Sequence, residues 1–231
     1  MSERTLRTQS CSAHGHREFT LTFGEPLPVP GIERMLLDYL EGGVAQGLRF
    51  EPEETVLLGW AMLRVGARAD GTLGLWEMDL GAESGWAERV DRSLMQTWQQ
   101  KELVRSVGLE ELVDFPRQLQ LGTVCNKVLE RTSYMLSRSA PADEEDSGWF
   151  LGCDDLGHDH DRPENVARVQ LLSVVDRLPF LAQFLALPAT SQVVVLGPGR
   201  IRAELWHGER KLQPSPGSYL ESLNAREPGP S

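Results

Sequence analysis

Long apolar runs are missing from this chain. No stretch of its 231 residues approaches the roughly 20 consecutive apolar residues that a membrane-spanning helix needs. The opening MSERTLRTQSCSAHGHREF has no apolar core of the kind a signal peptide carries. Cysteine is scarce. Cys11, Cys125 and Cys153 are odd in number and irregular in spacing, which excludes a secreted disulfide framework. These absences together predict a cytoplasmic, reduced protein. Positive charge is in deficit, with 23 Lys and Arg against 34 Asp and Glu and a net charge of −11, for a pI of about 5.0. That balance disfavours nucleic acid or an anionic membrane as a direct partner. It favours a basic partner, whose encounter an opposite field would steer, although solubility alone also accounts for acidity. Catalytic signatures are absent too. There is no GxSxG elbow, Walker loop or GxGxxG. Gly197-Pro198-Gly199 reads as a hairpin turn, since Pro198 lacks the N–H that a phosphate cradle requires. No spacing pairs Cys125 with His207. The expectation is a protein that is not an enzyme and holds no cofactor.

What is present is an ordinary globular composition, 40% hydrophobic and 25% charged, in a chain long enough to bury a core unaided. Residues 1–16 are polar and are expected to be mobile. Alternation over residues 18–23 predicts a half-buried strand. Gly24 and the prolines Pro26, Pro28 and Pro30 follow as a stiff connector. Ile32, Leu36, Leu37 and Leu40 share a helical face that Gly42-Gly43 is expected to end. Residues 55–65, TVLLGWAMLRV, are apolar on both faces and predict a central strand. Asp70-Gly71 marks a turn, and residues 73–80 form the return strand. Trp86, Val90, Leu94 and Trp98 recur every four residues and predict the buried stripe of a helix over 86–107.

From Leu121 the pattern restarts. Strands are expected at 123–125, 134–136 and 149–151, and a helix beginning at Pro163. Two further helices carry Leu171, Leu172, Val175 and Leu178, then Phe180, Leu181, Phe184 and Leu185. A strand over 193–196 and its return over 201–206 close the unit. Residues 209–231 read as a tail, with Tyr219-Leu220 able to dock. The predicted class is α+β: two packed modules, 17–116 and 121–208, with mainly antiparallel sheets and flanking helices.

Within this second half, Thr123-Val124-Cys125, Tyr134-Met135 with Arg138, Asp146-Ser147-Gly148-Trp149-Phe150, and Gly152 with Asp154-Asp155 occur in an order that resembles a bacterial immunity-protein domain of polymorphic toxin systems, class thirty-three, over about residues 121–196. Leu136-Ser137 and Cys153 depart from the expected pattern. The resemblance implies a protein that binds and blocks a toxin made by the same or a sister cell, often delivered by contact-dependent or type VI secretion.

Two acidic segments stand out as a binding surface for such a toxin, a nuclease being the preferred class because its groove must be positive. The candidate contacts are Asp143, Glu144, Glu145, Asp146, Asp154 and Asp155. Trp149 is weighed as an aromatic anchor against a place in the core. The alternative function is a small metal-binding or regulatory protein using residues 153–161. His158, His160 and Asp161 are the metal candidates there, beside Cys153, Asp154 and Asp159. Two histidines two apart, with no CxxC or HExxH, argue against a site.

Overall fold

A computed structural model describes residues 4–24, 27, 29–155, 157–196 and 201–225. The Gly197-Pro198-Gly199 turn, Pro26 and Pro28 lie outside the described residues. The chain divides into two compact units, Met1–Thr97 and Trp98–Ser231, so the division falls at 97/98 and not near 116–121. The α+β class is as expected.

In the first unit β1 (Arg4–Arg7) pairs antiparallel with β2 (Thr20–Phe23). A 3-10 turn at Cys11–His14 joins them. Residues 4–16 are therefore structured where polarity predicted mobility. Hydrogen bonding to Glu18 and pairing with a buried strand hold them. The Thr8 hydroxyl and the backbone N–H groups of Cys11 and Ser12 donate to the Glu18 carboxylate, and Leu21 and Phe23 of β2 are buried. Strand β2 is buried on both faces, not half-buried.

Helix α1 (Ile32–Ala45) buries Ile32, Leu36, Leu37, Leu40 and Val44 and runs through Gly42-Gly43. Those glycines keep helical dihedrals, and the stop comes later, where Gly47 takes a positive φ of 96°. The 55–65 segment is a hairpin, not one strand. β3 (Thr55–Leu58) turns at Gly59, with φ 58°, into β4 (Ala61–Ala67). The sheet continues antiparallel through β5 (Leu73–Met78) to β6 (Trp86–Ala87). Trp86 thus lies in a strand, and helix α2 begins later, at Asp91–Ser106. Of the expected stripe, Val90 and Leu94 are buried and Trp98 is half-buried. The helix buries polar residues instead: Gln96 accepts from the Trp60 indole at 3.2 Å, and Thr97 donates to the Leu58 carbonyl at 2.9 Å.

The second unit is built on β7 (Leu121–Cys125), β8 (Ser133–Arg138), β9 (Asp146–Cys153), β10 (Val166–Gln170), α3 (Leu171–Arg177), β11 (Ser191–Leu196), β12 (Arg202–His207), β13 (Arg210–Leu212) and α4 (Tyr219–Ala225). Its seven strands lie in the order β10-β7-β9-β8-β11-β12-β13. Every pairing is antiparallel except β7 with β9. Pro163 opens a 3-10 turn, Pro163–Asn165, and Pro179–Phe184 is a 3-10 segment ending before Pro188. The 209–225 region is not a loose tail. β13 adds to the sheet edge, and α4 buries Leu220 and Leu223 while Asn224 exchanges two hydrogen bonds with the Ala203 backbone.

One face of this sheet is closed. Leu136, Leu151, Val193, Val195 and Leu205 are buried on it, as are Leu171, Leu172, Leu181 and Phe184 from the helical segments. Burying such side chains stabilises by about 1.5–3 kcal/mol each before entropic costs. The other face is open, and it bears on function.

Candidate partner-binding surface

The Asp143–Asp146 loop is a self-bonded turn. The Asp143 carboxylate accepts the N–H groups of Glu145 at 2.9 Å and Asp146 at 3.0 Å. Asp146 accepts the Ala142 N–H at 2.9 Å and pairs with Arg168 at 3.1 Å. Burial opposes ionisation of Asp146, but the Ala142 and Gly148 amides and Arg168 outweigh it and hold its carboxyl below the usual range. Asp146 is therefore a turn-former. Glu144 and Glu145 are exposed, and among the described residues their carboxylates make no ion pair. The turn closes because Gly148 takes φ +72°, where a Cβ would stand 2.1 Å from the Ser139 carbonyl oxygen.

The second acidic segment sits at the far end of β9. Asp154 lies eight positions after Asp146, about 26 Å along a strand, so the two clusters do not merge into one patch. Asp155 accepts the Gly157 N–H at 2.9 Å and pairs with Arg131 at 2.5 Å, and its carboxyl is held below the usual range by that amide first and then by the cation. Asp154 is exposed.

Trp149 is core. It is 1% exposed, and its indole donates to the Leu185 carbonyl at 3.0 Å. Period-2 alternation settles this: Ser147, Trp149 and Leu151 point inward on β9 while Phe150 points outward. On the outward side of this sheet, Phe150 and Trp206 are half-buried aromatic side chains, which the sequence reading did not single out as contacts. They line a shallow hollow of about 340 Å³ on the open sheet face with Met135, Ser137, Gln192 and Val194. Strand pairing assembles it: Met135 lies opposite Val194, Ser137 opposite Phe150, and Gln192 opposite Trp206. Met135 is 42% exposed and Leu196 45%. Lys211 lies over the Trp206 ring at 5.2 Å and pairs with Glu204 at 2.7 Å, giving the apolar strip a charged margin. The missed signal was an alternation in which both faces are apolar, as in Met135, Val194 and Leu196.

The metal candidates divide. Asp161 is exposed, while its backbone N–H caps Asp159. His158 and His160 come together with Cys153 and with Cys125, which the sequence reading left out, and one ligand atom from each of the four lies within 4.8 Å of the others. These four are the residues able to hold a metal. Cys125 does not meet His207: four strand positions separate β7 from β12, and His207 contacts Thr190.

Residues 99–207 match the Imm33-like domain. The match takes in the end of α2, all of β7–β12 and both acidic segments, so the similarity to the Imm33-like domain covers this part of the chain. No curated protein and no solved structure matches the chain. Among the described residues no helix is long and apolar enough to cross a membrane.

Proposed function

We propose that this chain is an immunity protein that binds a cognate bacterial toxin and neutralises it by contact, without catalysis. The Imm33-like domain over residues 99–207 carries the proposal. The open sheet face supports it. Stable interfaces combine a desolvated centre, rich in aromatic residues and Met, with a polar rim. Met135, Phe150, Val194 and Trp206 supply such a centre. Glu144 and Glu145 at one end of β9 and Asp154 at the other supply charge. Exposed ion pairs are worth about 0–1 kcal/mol each, so these carboxylates set the rate of encounter and the apolar strip sets residence time. With a net charge of −11, the fitting partner is basic. Among toxins a nuclease fits best, since its phosphate-binding groove must be positive. The meeting place is the cytoplasm, after delivery by a contact-dependent or type VI route.

The test is co-expression with the product of the neighbouring gene, read by growth and by size-exclusion chromatography. Restored growth with a co-eluting complex is the expected outcome. A toxic neighbour that is neither bound nor silenced refutes the proposal.

A further inference from the structure

We propose that Cys125, Cys153, His158 and His160 form a structural zinc site that pins the 154–165 segment across one end of the seven-stranded sheet. Topology brings the ligands together. β7 and β9 are parallel neighbours, so their last residues, Cys125 and Cys153, emerge side by side at the same end. The chain then leaves β9, crosses the end of β7 and enters β10, whose first residue Val166 pairs with Cys125. His158 and His160 lie on that crossing and reach back to the two thiols.

All four ligand atoms lie within 4.8 Å of one another, and the two closest spacings match those of a tetrahedral site. Zinc bonds of about 2.3 Å to sulfur and 2.0–2.1 Å to nitrogen put ligand atoms about 3.8 Å apart for S···S and about 3.5 Å for S···N. Cys125 Sγ and Cys153 Sγ are 3.7 Å apart, and Cys153 Sγ is 3.5 Å from His160 Nε2. The histidine rings meet edge to face at 5.0 Å. An independent observation points to a missing ligand: His158 is 8% exposed, and its Nε2 is buried without a hydrogen-bond partner. Buried polar atoms are almost always satisfied, and a metal ion would satisfy this one.

The surroundings fit. Each sulfur receives a backbone N–H from two residues downstream, Lys127 to Cys125 at 3.3 Å and Asp155 to Cys153. Supporting hydrogen bonds of this kind stabilise a bound thiolate. Gly152 leaves room for His160: a Cβ there would stand 3.5 Å from its Cε1 and 2.6 Å from the Phe150 ring. Two thiolates and two neutral imidazoles around a divalent ion sum to no net charge, which suits a largely buried position. The soft S2N2 set selects zinc over calcium or magnesium. Four protein ligands leave no open position, so the role is structural and not hydrolytic. Binding releases the two thiol protons to solvent and involves no oxidation. A Cys125–Cys153 disulfide is the competing state. It needs the sulfurs to close to about 2.05 Å, and it leaves His158 Nε2 without a partner.

The experiment uses the full chain, purified under reducing conditions, with zinc counted by mass spectrometry and apo protein titrated with zinc, cobalt(II) and calcium. Stoichiometric zinc and tetrahedral cobalt bands with thiolate charge transfer are expected, with no calcium uptake. Cys125→Ser and His160→Ala should lose zinc affinity by more than the about 10–100-fold that losing a supporting contact costs. His160→Cys, which preserves four ligands, should keep the metal, and so should Asp161→Asn. Chelated wild-type protein gives the same comparison without relying on any variant to fold. A reduced chain that takes up neither zinc nor cobalt overturns the site, as does a Cys125–Cys153 disulfide in freshly isolated metal-free protein. Unchanged zinc binding in Cys125→Ser also overturns it. None of these outcomes depends on whether the chain binds a toxin.

Discussion

Replacing Arg138 with Met should be among the most destabilising single changes in the Imm33-like domain. The guanidinium is 2% accessible. It donates to three carbonyls, those of Ser147 at 3.2 Å, Asp114 at 2.7 Å and Leu187 at 2.6 Å. It also pairs with the Asp114 carboxylate at 3.0 Å and lies 5.7 Å from the Trp149 ring centroid. Burial works against its charge, and Asp114 works for it. One side chain thus ties the end of β8 to β9, to the 114 loop and to the segment after Phe184. Arg138→Met leaves three acceptors short of a donor at about 1–3 kcal/mol each. Partial relaxation brings the net to about 3–5 kcal/mol, typical of breaking a buried charged pair. Arg138→Lys keeps the charge without the planar fork and should lose about 2 kcal/mol. Asp114→Asn keeps its backbone carbonyl, and its side chain is 53% exposed, so the loss should be about 0–1 kcal/mol. Urea unfolding followed by circular dichroism measures all three, with an unchanged m-value confirming that stability alone moved. A loss below about 1 kcal/mol for Arg138→Met would refute the reasoning. So would Asp114→Asn matching it, because the exposed carboxylate rather than the carbonyl fork would then dominate.

Acid sensitivity of the first unit should trace to Glu18. Burial opposes its charge, but the Thr8 hydroxyl and the Ser12 and Cys11 amides outweigh burial and lower its pKa from an ordinary 4.5 to about 2. A folded pKa below the unfolded one stabilises above the unfolded value, and that contribution fades as pH falls from the unfolded pKa to about 2. Up to about 3 kcal/mol should therefore vanish over this window in wild-type protein and be missing throughout in Glu18→Gln, read by thermal melts from pH 7 downward. Gly148→Ala must adopt φ +72° and displace the Ser139 carbonyl, at about 2–4 kcal/mol. By contrast, Gly42→Ala points into open space inside α1 and should stabilise by about 0.5–1 kcal/mol; the same unfolding assay separates them. Once a toxin is in hand, Glu144→Lys with Glu145→Lys should slow association and flatten its salt dependence. Val194→Arg should speed dissociation without altering the melt, both read by surface plasmon resonance.

The sequence was informative where one physical rule acted alone. Alternation marks β11, where Val193 and Val195 are buried and Val194 and Leu196 are exposed. It failed where polar groups form the core. Helix α2 buries Ser93, Gln96, Thr97 and Gln100; Gln96, Thr97 and the Gln100 amide N–H find partners that only the tertiary fold supplies, and hydrophobic spacing is blind to that. The apparent tryptophan stripe joined Trp86 of one element to Trp98 of another, because a four-residue repeat does not reveal a strand ending between its members. β10 was missed because VARVQ is an edge strand with only partial burial and no clean period.

The parallel pairing of β7 with β9 was illegible for a different reason. Cys125 and Cys153 are 28 residues apart and no turn fixes the register of the two strands, so their approach exists only in three dimensions. The residues that carried the family resemblance have a physical reading of their own. Arg138 holds carbonyls, Gly148 permits a turn, Trp149 fills the core, and Gly152 makes room beside Phe150. These four build the sheet, whereas Met135 and Asp154 of the same pattern are exposed and Phe150 is half-buried. Val194, Glu144 and Glu145 are exposed and lie outside the resembling pattern, as does the half-buried Trp206 beneath Lys211. On the proposed function, a family of this kind can keep its framework while changing its toxin, because the side chains that fold the domain and those that would meet the toxin project from opposite faces of the same strands.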